Sequence, residues 1–288
     1  MATILPRPGP LRTGIRALVE AKRLAGAGDP RGALGALEAA YADGCRYKKE
    51  WLTGDRDLAT LGPLPGFADF VVRANARYEE AAAAARPRLT FVMPDTPPDA
   101  FGYPLLMVLH GNNSNAKETA PYWSHAADTG WVVAIPQSSE IGASPESYTW
   151  NDRERAAREL DLHFERLKGA TQIDTSRIVL AGFSMGGLHA LALALAKRFT
   201  ARGVVSIAAW LPRIDELRRL VEGGAGKMLR VYVIVGALDP SRDGARALVD
   251  LLAAHKIRAR LDERAGLEHE YPDDMETTLP AALAFATA

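Results

Sequence analysis

The stretch Ala181-Gly182-Phe183-Ser184-Met185-Gly186-Gly187 constrains this chain more than any other. Ahead of it runs the apolar segment Arg177-Ile178-Val179-Leu180, bounded upstream by Asp174, Thr175 and Ser176. Behind it comes Leu188 to Ala196, almost all leucine and alanine, which are strong helix formers. The pattern predicts a buried strand, a glycine-bounded turn and a helix, with one serine at the apex. A serine on so sharp a turn takes strained backbone angles, so the positions two residues away on either side must carry no side chain. Gly182 and Gly186 meet that demand. The helix that follows points its first amides back at the serine, where they favour developing negative charge. Ser184 is thus a candidate nucleophile in a Gly-x-Ser-x-Gly elbow.

From Pro87 onward strand and helix patterns alternate. The strand candidates are Leu89–Met93, Leu105–Leu109, Trp131–Ile135, Arg177–Gly182, Gly203–Ala208, Val231–Val235 and Arg258–Asp262. Between and after them, helices are expected over Ala116–Ala127, Arg153–Lys168, Met185–Arg198, Ile214–Glu222, Ser241–His255 and Met275–Phe285. Such alternation specifies an α/β fold, a mostly parallel sheet covered by helices on both faces. The connection from Trp210 to Arg230 has room for one short helix and no inserted cap.

Residues 1–86 follow a different period. Apolar positions at helical spacing predict helices over Leu11–Ala25, Ala33–Tyr41 and Phe67–Arg86, with Gly28-Asp29-Pro30-Arg31-Gly32 as a turn. The run from Ala17 to Gly44 weakly resembles one tetratricopeptide-type hairpin, with no second copy at the expected period. The expectation is a small all-helical region, 1–86, before a catalytic domain, 87–288. Its apolar faces need cover, from the other domain or from a second copy of the chain.

A serine hydroxyl needs a base to take its proton and an anion to orient that base. Of the six histidines, His163, His189 and His255 fall within predicted helices, where surface or satisfied polar roles fit them. His125 has no motif, and His110 ends a strand. His269 lies in the loop between the last strand and the last helix, the place from which a base reaches the carboxyl edge of such a sheet. Asp239 follows the strand Val231–Val235 and a short Gly236-Ala237-Leu238 turn, and gives the chain order Ser, acid, His. Asp243, Asp262, Glu263 and Glu268 compete for the acid's role, and Asp239 could instead cap a helix. Oxyanion donors are expected from the amides of Met185 and Asn112, with Gly111 as the alternative to Asn112, because Gly111 permits a tight turn and Asn112 tolerates left-handed angles. Tyr148, Trp150 and Trp210, with Gly111, are candidate pocket residues; the two tryptophans could equally pack in the core.

The 35 basic and 35 acidic residues cancel, which argues against a nucleic-acid partner. A single cysteine, Cys45, forms no intramolecular disulfide. The first ten residues lack the apolar core of a signal peptide, and no run is long and apolar enough to span a membrane, so a cytoplasmic location is expected.

Taken together, strand-His110-Gly111, Gly182-Phe183-Ser184-Met185-Gly186, Leu238-Asp239 and His269-x-x-Pro272 resemble the α/β-hydrolase superfamily, and within it the lidless carboxylesterase, phospholipase and depolymerase-type esterases. The resemblance covers about residues 88–288. Two places depart from the usual pattern: Glu268 stands where a glycine often precedes the histidine, and Asn112 and Asn113 stand where the oxyanion turn often has glycine. The resemblance implies a serine hydrolase that cleaves small carboxylic esters, short-chain or aromatic, through an acyl-enzyme and without metal or cofactor. A peptidase or thioesterase would use the same residues; the rival of a different class is a helical-repeat scaffold with an inactive hydrolase domain.

Overall fold

The computed structural model describes residues 13–288, so the expected start of the first helix at Leu11 lies outside the described residues. The chain divides into two compact units. One comprises Pro87–Ser138 and Trp150–Ala288; the other comprises residues 13–86 together with Ser139–Thr149.

The larger unit is built on seven strands among the described residues: β1 (Arg88–Val92), β2 (Tyr103–Leu109), β3 (Val132–Gln137), β4 (Ile173–Phe183), β5 (Gly203–Ile207), β6 (Arg230–Gly236) and β7 (Arg258–Arg264). They form one sheet in the order β1-β3-β2-β4-β5-β6-β7. β1 runs antiparallel to β3 and every other pairing is parallel. The inner strands β2, β3, β5 and β6 are buried along nearly their whole length, as strands covered on both faces must be, and this is why they read as unbroken apolar runs. The edge strand β7 carries charges along its length, which blunts pairing with other chains, whereas β1 carries only Arg88.

In chain order the helices are α1 (Thr13–Gly26), α2 (Pro30–Ala42), α3 (Lys49–Thr53), α4 (Phe67–Ala84), α5 (Ala116–Trp123), α6 (Arg153–Ala170), α7 (Met185–Leu195), α8 (Asp215–Glu222), α9 (Arg242–Ala254) and α10 (Met275–Thr287). Strand residues alternate between two cores. Leu105, Met107, Leu180, Val231 and Val233 pack with α6, α7, α8 and α9. Leu106, Val108, Val179, Val205 and Ile234 pack with α5 and α10 on the opposite face. Each such side chain contributes about 1.5–3 kcal/mol by leaving water.

Several boundaries differ from the sequence expectation. β4 begins at Ile173, because the turn-like residues Asp174 and Ser176 satisfy each other within the strand: Ser176 donates its amide to Asp174 at 2.9 Å and its hydroxyl at 2.6 Å. The expected helix 116–127 changes at Ser124 to a tight three-residue-per-turn segment, Ser124–Thr129, closed by Gly130 at φ 89°. α7 stops at Leu195, followed by Lys197 at φ 54°, rather than reaching Arg198.

The smaller unit gathers α1, α2, α3 and α4 around Ala21, Leu37, Tyr47, Leu58 and Phe70. α2 starts at Pro30, inside the expected turn, because Asp29 accepts the Gly32 amide at 2.8 Å and Pro30 needs no donor in the first turn. The segment Ser139–Thr149 packs with these helices although it lies within the sequence range expected for the catalytic domain. Arg46 donates to the carbonyls of Gly142 (3.1 Å) and Ser144 (3.0 Å), and Gly14 donates to the Ser144 hydroxyl at 2.8 Å. A side chain at Gly14 would meet Ala143 at 2.8 Å, so the approach needs glycine there.

Candidate active site

Ser184 sits between β4 and α7 at φ 54° and ψ −120°, a region that costs a non-glycine residue about 1–3 kcal/mol. The fold holds it there by three backbone bonds. Its amide donates to Ile207 at 2.9 Å, and its carbonyl accepts from Leu188 and Trp210, both at 3.1 Å. A Cβ on Gly182 would lie 2.5 Å from the Gly186 carbonyl carbon, and one on Gly186 would lie 2.3 Å from the Leu109 oxygen. These contacts are with backbone, which cannot swing aside, so the two glycines are a steric condition of the turn.

His269 Nε2 lies 2.9 Å from Ser184 Oγ, and Nδ1 lies 2.8 Å from Asp239 Oδ2. The Asp239 side chain is fully buried while that of His269 is 32% exposed. The other carboxylate oxygen accepts the Ser241 amide at 2.7 Å. Asp239 therefore makes a turn bond at the entry to α9 and faces His269 at once, but it does not cap that helix, whose N-cap is Ser241. The competing acids are engaged elsewhere. Asp262 accepts from Arg264 (2.9 Å) and Tyr232 (3.3 Å), Glu263 from Arg246 (2.8 Å), and Asp243 from Arg242 (3.0 Å), while Glu268 is exposed.

Sequence reasoning missed how the histidine loop is placed. Ala237 donates to Arg264 (2.8 Å) and Leu238 to Leu267 (3.0 Å), which ties the Asp239 turn to the His269 loop. A Cβ on Gly236 would lie 2.1 Å from the Leu267 oxygen, so this docking needs glycine at 236. Behind the imidazole, Phe183 lies 5.2 Å away between ring centres and stacks on Tyr271 at 4.3 Å; Tyr271 stacks in turn on Tyr122 at 3.8 Å. Burial pushes the Tyr271 phenol upward, so it stays neutral and acts as packing.

Met185 is the first residue of α7, where helix amides have no intrahelical acceptor. Asn112 is exposed in the turn after β2. The left-handed angle expected at Asn112 belongs instead to Asn113, at φ 56°. Gly111 is buried, and a Cβ there would lie 3.1 Å from the Phe183 ring. His110 anchors this turn. Its Nδ1–H donates to the Gly111 carbonyl at 2.9 Å, leaving Nε2 to accept the Ser138 amide at 3.4 Å. The Trp150 indole N–H donates to the His110 carbonyl at 3.1 Å, and the two rings lie 4.8 Å apart. Trp150 is thus a core residue behind the turn, 1% exposed, and not a pocket wall. Trp210 is 41% exposed and stands edge-on to His269, 6.2 Å between ring centres. Tyr148 is half-buried in the segment that belongs with the helical unit. Among the described residues no three His, Cys, Asp or Glu side chains are grouped to hold a metal ion.

Two other histidines also depart from their expectation. His163 is fully buried with neither ring nitrogen partnered, and His189 is buried with Nδ1 unpartnered. Burial pushes His110, His163 and His189 down from 6.5 to about 4. Each is harder to protonate folded than unfolded, so its stabilising effect is complete above pH 6.5 and is lost as pH falls towards 4. The loss approaches about 4 kcal/mol per pH unit if all three act. The urea midpoint should therefore fall steeply across that window, and a midpoint indifferent to pH there would contradict the assignment.

Comparisons with known proteins bear on the fold and the family likeness. The Phospholipase/Carboxylesterase family matches residues 155–276, and the Chlorophyllase family matches residues 70–211. NocK of Nocardia uniformis subsp. tsuyamanensis, described as a candidate esterase, is 32% identical over 154 residues, 49% of this chain and 44% of NocK. The chain thus spans under half the length of that relative. An uncharacterized protein from Bacillus cereus ATCC 10987 is 25% identical, with a TM-score of 0.58 over 97% of this chain and 88% of its own. Esterase PE8 is 21% identical, with a TM-score of 0.57 over 69% of this chain and 98% of its own. The chain has the α/β-hydrolase fold, and the families and relative its sequence is similar to are described as phospholipase/carboxylesterase, chlorophyllase and esterase.

Proposed function

We propose that the chain is a serine esterase in which Ser184 is the nucleophile, His269 the base and Asp239 the acid. The observation that carries this is the unbroken hydrogen-bond chain Asp239–His269–Ser184, anchored on a strained serine. His269 Nε2 takes the hydroxyl proton as Ser184 Oγ attacks the ester carbonyl. The buried Asp239 carboxylate holds the imidazole with Nδ1 protonated and stabilises the imidazolium that forms. The amides of Met185 and Asn112 hold the oxyanion; Ser184's own amide is committed to Ile207. His269 then returns the proton to the departing alcohol, which leaves an acyl-enzyme, and water attacks that ester by the same route. None of these steps draws on a metal or cofactor.

The same reading extends to substrate size and to the division of the chain. Only α8, eight residues long, lies between β5 and β6, and no lid-sized insertion occurs there. Trp210 and Leu238, 41% and 61% exposed, stand beside the catalytic turns, and a long acyl tail laid against such open walls would stay largely in water. A buried methylene is worth about 0.8 kcal/mol only where the site encloses it, so esters with acyl chains of about two to six carbons should be cleaved faster than longer ones. The helical region ahead of Pro87 is taken as a separate, non-catalytic part. The test is kcat/KM across p-nitrophenyl esters of rising acyl length. A maximum at about twelve carbons or beyond would overturn the open-site reading, and faster cleavage of a matched thioester or amide would overturn the ester assignment.

A further inference from the structure

The zero net charge hides an uneven distribution. At their amino ends β5, β6 and β7 start side by side, with Gly203 opposite Arg230 and Arg230 opposite Arg258. Arg202, just before β5, accepts the Arg230 amide on its carbonyl at 3.3 Å and donates its guanidinium to the Met228 carbonyl at 3.4 Å. Three arginines therefore stand at one corner of the sheet. Among the described residues none of the three is paired with a carboxylate. Elsewhere in this unit the pattern is the reverse: Arg177 pairs with Asp174, Arg246 with Glu263, Arg264 with Asp262 and Arg198 with Glu154. Partial burial, together with repulsion from Arg258 and Arg202, lowers the Arg230 guanidinium from its usual value. Lys227, three residues ahead of Arg230, and Lys256, two residues ahead of Arg258, are exposed. The acid nearest Arg230 in sequence, Glu222, faces Arg218, and Asp262, four residues past Arg258, is held by Arg264.

An apolar projection stands among these cations. The connection Gly223-Gly224-Ala225-Gly226-Lys227-Met228-Leu229 buries Leu229 but leaves Met228 73% exposed. Gly224 at φ 85° and Gly226 at φ 77° make the turn that presents it. A long, unbranched apolar side chain on a residue next to Lys227, two residues from Arg230 and bonded through its carbonyl to Arg202 suits a surface that is apolar below and anionic above. Single-stranded nucleic acid fits less well, because Tyr232, two residues past Arg230 on β6, is buried and cannot stack on bases.

We propose that this corner docks on the face of an anionic phospholipid bilayer, with Met228 entering the headgroup boundary and Arg202, Lys227, Arg230 and Arg258 meeting lipid phosphates and carboxylates. Ser184 follows the carboxyl end of β4, the opposite edge of the parallel sheet, so the docked protein would keep its reaction centre towards water. Docking would place the enzyme at a membrane without drawing substrate from it.

Flotation of the full chain with vesicles tests this. It should float with mixed phosphatidylcholine–phosphatidylserine vesicles, stay behind with pure phosphatidylcholine, and be released by high salt. The triple substitution Arg202→Gln, Arg230→Gln, Arg258→Gln should weaken partitioning by about a hundredfold, and Met228→Asp should weaken it separately. Cleavage of a soluble short-chain ester, unchanged in both variants, reports that they are folded. Failure to float with the mixed vesicles overturns the proposal, as does a triple variant that floats like the parent. Capture of a single-stranded oligonucleotide that depends on the same arginines and exceeds vesicle binding also overturns it.

Discussion

Ser184→Ala should lower kcat by about a millionfold and leave the fold intact, as loss of the nucleophile does in triads of other folds. Alanine keeps the Cβ that the turn already accommodates and the backbone bonds to Ile207, Leu188 and Trp210, so only the hydroxyl is removed. What remains, the oxyanion amides and substrate binding, accounts for a residual rate above that in water. Turnover near that of the parent would sink the assignment of Ser184. The check is kcat on a p-nitrophenyl ester, with thermal unfolding measured alongside.

Asp239→Asn should lower kcat by about ten thousandfold, while Asp262→Asn should leave it close to the parent's. The difference follows from what each carboxylate faces. Asp239 is buried and lies 2.8 Å from His269 Nδ1. An asparagine there can present its N–H₂ to Nδ1, which favours the tautomer with the proton on Nε2 and leaves no base facing Ser184. Asp262 lies on β7 among Arg264 and Tyr232 and has no bond to His269. A crippled Asp262→Asn beside a nearly neutral Asp239→Asn would reverse the assignment of the acid.

The parts of this site that are legible in the sequence are those set by short-range sterics. Gly182 and Gly186 announce the turn because their neighbours are fixed by the turn itself, and the order Ser184, Asp239, His269 follows from strands that all deliver residues to one edge. The missed parts depend on approaches between distant segments. Gly236 reads as an ordinary turn glycine until the Leu267 carbonyl lies against it. Phe183 reads as a filler of the elbow until Tyr271 stacks on it, 88 residues away in number. Trp150 carries no local sign of whether it walls a pocket or fills a core; the bond from its indole to the His110 carbonyl decides that. The segment Ser139–Thr149 looks like a loop of the sheet domain because nothing in its own sequence records that Arg46 and Gly14 will bond to it. Net charge is blind for a related reason: it sums over the chain, whereas the three arginines at the start of β5, β6 and β7 are brought together by strand register.

The central claim is that the Asp239–His269 pair activates one serine out of all those in the chain. Labelling the folded protein with a fluorophosphonate and locating the adduct by peptide mass mapping tests it directly, because only a serine with an adjacent base and an oxyanion site reacts at a useful rate. The account predicts a single adduct on Ser184, absent in Ser184→Ala and formed far more slowly in His269→Ala. No adduct on the parent protein, or an adduct on another serine that persists in Ser184→Ala, would contradict it.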